Sequence, residues 1–129
     1  MEDISEESLL STALDNYVLD NYEVALNQLN NILTKFSTSA SKSDYLLYRA
    51  VCKLKLGKFE EASKDLDEIK NDANYKKNYN YYLTLGKTLY YLCKFKESKE
   101  ALNEGAELDK DKSSLFTPWL NKVEEELKE

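Results

Sequence analysis

Apolar and small side chains recur along this chain at three- and four-residue steps, broken by short polar stretches. That rhythm predicts helices almost throughout. Leu9, Leu10, Ala13, Leu14, Tyr17 and Val18 form one stripe, predicting a helix from about Ser5 to Val18. Tyr22, Ala25, Leu26, Leu29, Ile32 and Leu33 form the next, fraying at Phe36, with Asp20 and Glu23 spaced as the reciprocal pair of a capping box. The polar run from Ser37 to Lys42 reads as a flexible loop. Ser43 and Asp44 open a third helix through Leu46, Leu47, Ala50, Val51 and Leu54, stopped at Gly57, where a left-handed residue ends a helix with little strain. Phe59, Ala62, Leu66 and Ile69 mark a fourth helix, and Asn71 to Asn74 break the pattern. Tyr82, Leu85, Gly86, Leu89 and Tyr90 line a fifth; Phe95, Ser98, Leu102 and Gly105 line a sixth. Leu115, Phe116, Trp119, Leu120, Val123 and Leu127 predict a seventh, starting near Pro118, since proline suits a first helical turn.

One phrase is written three times in step: Asp20-Asn21-Tyr22-Glu23-Val24-Ala25, Gly57-Lys58-Phe59-Glu60-Glu61-Ala62 and Cys93-Lys94-Phe95-Lys96-Glu97-Ser98. Each copy gives a turn, an aromatic, and a small residue three positions later, and the copies start 37 and 36 residues apart. A period near 34 with this step is the signature of tetratricopeptide (TPR) repeats. The expected fold is therefore all-α: a right-handed superhelix of three helix-turn-helix repeats, about 5–36, 43–72 and 78–108, plus a capping helix at about 114–128. Ala13, Ala50 and Gly86 share one position in the first helices, and Ala25, Ala62 and Ser98 share one in the second. Larger side chains at these close approaches would cost about 1–3 kcal/mol of overpacking. The cap would bury Phe116 and Trp119 and turn Asn121, Lys122, Glu124, Glu125 and Glu126 to water.

Composition narrows the function. The 129 residues make one domain, 33% charged and 42% apolar, and one Pro with three Gly suits a helical chain. The net charge of −6 sits in residues 1–36, which hold seven acids and one Lys; the other 93 residues balance 17 against 17. No nucleic-acid footprint is expected from that distribution. The acidic start lacks the basic and apolar regions of a signal peptide, and no apolar run nears the roughly 18 residues of a membrane span. A cytoplasmic and nuclear protein with free Cys52 and Cys93 is expected, Cys52 as a buried small hydrophobe. With no His, no glycine-rich phosphate loop, and carboxylate pairs such as Glu60/Glu61 and Asp65/Asp67 on faces expected to be solvated, no enzyme, metal site or cofactor is predicted. Most of the ten Tyr, including Tyr75, Tyr79, Tyr81 and Tyr82, are expected in the repeat core with hydroxyls reaching the surface.

The stretch Arg49 to Phe59 resembles the second repeat of the SGT-one co-chaperones (suppressor of G-two allele of SKP-one). Leu102 to Asp109 is similar to the end of that family's third repeat, and Phe116-Thr117-Pro118-Trp119-Leu120-Asn121-Lys122 resembles its closing helix. The last two segments discriminate among tetratricopeptide proteins; the first is widely shared. The resemblance implies an adaptor linking the ninety-kilodalton heat-shock chaperone to SKP-one, SCF ubiquitin ligases and kinetochore assembly. It also implies an N-terminal fragment, to be followed by CS and SGS segments, with an SKP-one-like subunit as partner and self-association in fungal members.

Other tetratricopeptide co-chaperones hold a C-terminal Glu-Glu-Val-Asp tail with a clamp of Lys, Asn and Arg. The matching positions here are Leu10, Leu14, Tyr48, Asn80 and Thr84, none cationic, so carboxylate-clamp binding of a chaperone tail is not expected. The predicted partner-binding concave face comprises Leu10, Leu14, Tyr17, Tyr48, Val51, Lys55, Thr84, Lys87 and Tyr91, some of which pack against neighbouring helices instead. Leu10, Leu14 and Tyr17 on the first repeat are also a candidate homodimer patch. A permanent scaffold subunit of another stable cytosolic complex is the alternative to a regulatory adaptor.

Overall fold

The computed structural model describes residues 5–128. Among these described residues seven α-helices follow in order: α1 (Glu6–Val18), α2 (Tyr22–Lys35), α3 (Lys42–Lys55), α4 (Phe59–Ile69), α5 (Tyr79–Tyr91), α6 (Phe95–Leu108) and α7 (Thr117–Leu127). Two short 3-10 segments, Ala73–Lys77 and Lys110–Leu115, precede α5 and α7, and there is no strand among the described residues. The chain divides into two compact units, one ending at Glu68 and one beginning at Ile69.

The three-fold phrase is a backbone device. Asp20 (φ 63°), Gly57 (φ 79°) and Cys93 (φ 63°) are all left-handed. At each, the following amide donates to the carbonyl five residues back: Asn21 to Asn16 at 2.8 Å, Lys58 to Lys53 at 2.7 Å and Lys94 to Leu89 at 2.9 Å. These are three copies of one Schellman turn, closing α1, α3 and α5. Asp20 therefore ends α1 and does not cap α2; Asn21 holds the cap position without a side-chain hydrogen bond, and the expected capping box does not form. A residue committed to the left-handed well cannot also take the extended conformation of an N-cap.

Glycine tolerates that well and cysteine does not, at about 1–2 kcal/mol for an ordinary L-residue. Cys93 is exposed, so its side chain offers little in return. Cys93→Gly is expected to stabilise the protein by about 0.5–1 kcal/mol once the greater freedom of unfolded glycine is deducted. A raised thermal midpoint checks this. Asp20→Gly should gain less, because Asp20 also accepts the Tyr22 hydroxyl at 2.8 Å.

In the first unit Ala13 of α1, Ala25 of α2, Ala50 of α3 and Ala62 of α4 are all fully buried, as expected of small residues at close helix approaches. Leu26, Leu29, Ile32, Leu46 and Leu66 fill the space around them. Asp65 lies in this packing, 2% exposed, and not on the solvated face expected of it. The Arg49 guanidinium donates to both its oxygens (2.6 and 2.9 Å), and the Lys53 ammonium lies 3.0 Å away. Glu60, Glu61 and Asp67 are exposed as expected. The stretch read as a flexible loop is hydrogen-bonded: the Ser39 hydroxyl donates to Glu6, which also accepts the Tyr45 hydroxyl at 2.5 Å. Those two donors hold the Glu6 carboxyl below its ordinary range, Ser39 first.

In the second unit glycines take the close approaches. A Cβ on Gly86 would fall 2.5 Å from Leu102 Cγ, so only glycine lets α5 lie this near α6. Ser98, fully buried, donates its hydroxyl to the Gly86 carbonyl at 2.7 Å. Gly105 does the same for the cap, since a Cβ there would fall 2.5 Å from Phe116 Cζ. Phe116 and Val123 are fully buried with Leu102, and Trp119, Leu120 and Leu127 pack half-buried around them. Leu115 belongs to the 3-10 segment and is 45% exposed, so the cap helix starts at Thr117 and excludes it. The polar side of α7, Asn121, Lys122, Glu124, Glu125 and Glu126, is exposed.

Candidate protein-interaction surface

Two sets of the predicted surface residues are brought together, one in each unit. In the first unit Tyr17 near the end of α1 meets Tyr48 of α3 edge-on, ring centres 5.4 Å apart at 75°, and meets Tyr22 of α2 at 6.0 Å and 89°. Such edge-to-face pairs are favoured by the ring quadrupole. Burial pushes the Tyr17 phenol up to about 12, with smaller contributions from Cys52, Tyr22 and Tyr48, so it stays neutral. Cys52 is buried, and burial pushes its thiol up to about 11, which keeps it protonated. Leu10, Leu14 and Val51 are half-buried, and Lys55 is exposed.

In the second unit α5 sets Lys87 and Tyr91 against Trp119 of α7. The Lys87 ammonium stands 5.3 Å from the indole centre and the Lys122 ammonium 4.5 Å from it. Tyr91, 45% exposed, meets the indole edge-on at 5.8 Å, and Tyr90 does so at 5.7 Å. Cation–π pairs of this kind are worth about 0.5–1 kcal/mol each at exposed sites. Trp119, expected only as packing for the cap, is thus the centre of a cationic aromatic surface. The spacing Trp119-x-x-Lys122, one helical turn, carries that signal in the sequence.

Thr84 does not belong to an open face. It is 5% exposed, and its carbonyl accepts the Thr88 hydroxyl at 2.8 Å inside the repeat. Of the tyrosines, Tyr75 and Tyr81 are buried, while Tyr79, Tyr82 and Tyr90 are half-buried. Near the clamp position Tyr48, the Arg49 guanidinium is engaged by Asp65 and by Asn30 Oδ1 at 3.1 Å. Sequence reasoning missed the apolar side chains at the α1–α2 reversal: Val18 is 75% exposed, Leu19 70% and Val24 48%.

Among described residues no helix is long and apolar enough to cross a membrane, and no cluster of three or more His, Cys, Asp or Glu could hold a metal ion.

No family model and no curated protein matches this chain. Among solved structures it is similar to MamA 41-end from Desulfovibrio magneticus RS-1, with a TM-score of 0.71 and 17% identity over 94% of this chain and 75% of that one. A MamA RS-1 ArsTM double mutant is similar to the same degree, TM-score 0.71 and 17% identity over 95% of this chain and 75% of that one. The likeness shows the fold: all-α, with helical repeats of the tetratricopeptide type.

Proposed function

We propose that this chain is a protein-interaction module that acts by binding alone, serving in the cytoplasm and nucleus as the tetratricopeptide domain of an SGT-one-type co-chaperone adaptor. It would link the ninety-kilodalton heat-shock chaperone to an SKP-one-like subunit of SCF ubiquitin ligase and to kinetochore assembly. The observation that carries the reading is the Trp119 cluster. The closing segment, one of the two that carry the SGT-one resemblance, supplies Trp119 and Lys122, and α5 adds Lys87 and Tyr91. A surface of exposed aromatic edges and ammonium groups suits a folded acidic partner. The clamp positions carry no cation, so a carboxylate tail would gain little on leaving water there.

Pull-down of the purified chain against SKP-one and against the chaperone's C-terminal tail peptide tests the proposal. Capture of SKP-one without the tail is the expected result. Lys55→Glu with Lys87→Glu should weaken that capture at least tenfold while the chain stays folded, its circular dichroism melt lowered only by the loss of the Lys87–Trp119 contact, about 0.5–1 kcal/mol. Capture of the tail alone would overturn the assignment. A chain that is soluble only together with a permanent partner would favour the scaffold-subunit reading.

A further inference from the structure

The first repeat differs from the other two at one place. Aligned on the left-handed residues Asp20, Gly57 and Cys93, Val18 corresponds to Lys55 and Tyr91, Leu19 to Leu56 and Leu92, and Val24 to Glu61 and Glu97. Leu56 and Leu92 are half-buried, whereas Leu19 is exposed. Where the second repeat presents a lysine and a glutamate, the first presents two valines. Val18 and Leu19 close α1 and Val24 lies in the first turn of α2, so one tight reversal gathers all three at the same end of the hairpin. Isolated apolar side chains on a surface need no explanation, but three at one turn, two of them replaced by charged residues in the second repeat, form a patch.

Its rim specifies what covers it. Asp15, Asp20 and Glu23 surround the reversal, all exposed, and none is in an ion pair among the described residues. The only base of the first 36 residues, Lys35, lies at the far end of α2, about 20 Å along the helix at 1.5 Å per residue. Lys55 and Lys58 belong to the next turn, roughly 10 Å away at ordinary helix spacing. A second copy joined symmetrically through this end would set acid rim against acid rim.

We propose that the α1–α2 reversal is a docking surface for a basic, apolar segment of a partner protein, with Val18, Leu19 and Val24 taking its apolar side chains and Asp15, Asp20 and Glu23 its cations. This site is independent of the Trp119 surface, has the opposite charge and recruits a different ligand. An amphipathic partner helix with leucines on one face and lysines beside them has the required chemistry.

The test uses the full chain, labelled with nitrogen-15, and two synthetic amphipathic peptides, one of Leu and Lys and one with Glu in place of Lys. The Leu/Lys peptide should move the amides of Val18, Leu19 and Val24 first and bind at least tenfold more tightly than the Leu/Glu peptide. Val18→Ser with Leu19→Ser should weaken it about tenfold with an unchanged melt, as should Asp15→Lys with Glu23→Lys. Equal binding of the two peptides, first shifts elsewhere, or variants that bind like the parent chain would overturn the proposal. So would a dimer in light scattering that Val18→Ser with Leu19→Ser dissolves, since a second copy would then be the occupant.

Discussion

Truncating Phe116 to alanine is expected to cost about 3–5 kcal/mol, the range for emptying a fully buried aromatic site. The ring is 0% exposed and sits at the start of α7, against the backbone of α6 at Gly105 and beside Leu102 and Val123. The wall at Gly105 has no side chain that could fill the space. In a repeat protein the loss should appear first where the interface breaks. Amide exchange in α6 and α7 should therefore accelerate before that in α1 and α2, with the thermal midpoint lowered. The reverse substitution supplies a control. Gly105→Ala alone drives a Cβ to within 2.5 Å of Phe116 Cζ and 2.8 Å of Tyr82 Cβ. Combined with Phe116→Ala it should cost clearly less than the sum, since only the Tyr82 overlap remains. Strict additivity, or an unchanged midpoint for Phe116→Ala, would show that the cap is not packed as described.

The repeat structure was legible because it rests on local signals of the right period. Ala13, Ala25, Ala50 and Ala62 are all fully buried where the stripes put them. Gly57 announced its left-handed turn by being glycine. Asp20 and Cys93 share that turn but were legible only by alignment with Gly57, and Asp20 was misread because aspartate also caps helices. The two 3-10 segments escaped because so short a run has no hydrophobic period to read. Thr84 and Asp65 failed for a different reason. Each is polar, and polarity at one position says nothing about a partner supplied by another helix. The repeat register puts Lys87 and Tyr91 on one face of α5, yet their grouping with Trp119 depends on how α5 packs against α7. Such contacts are tertiary and leave no mark in a single sequence.

Asp65 is where that tertiary information carries the largest electrostatic consequence. Its carboxylate, 3% exposed, holds Arg49 through two hydrogen bonds and Lys53 through a third contact, and Arg49 reaches on to Asn30. One acid of α4 thus ties α3, and through α3 ties α2. Asp65→Ala would leave two cations, with side chains 20% and 10% exposed, without their shared anion. Breaking a buried pair in this way costs about 3–5 kcal/mol, mostly because the surviving charges have already left water. Asp65→Asn should lose less, since the amide oxygen still accepts one bond from Arg49 while no longer balancing two charges. Adding Lys53→Met to Asp65→Ala should recover part of the loss by removing one stranded ammonium and keeping the aliphatic stem. Urea unfolding of the four proteins measures each step. A loss for Asp65→Ala below about 1 kcal/mol would equate the network with an exposed surface pair, and water would then have to reach between α3 and α4.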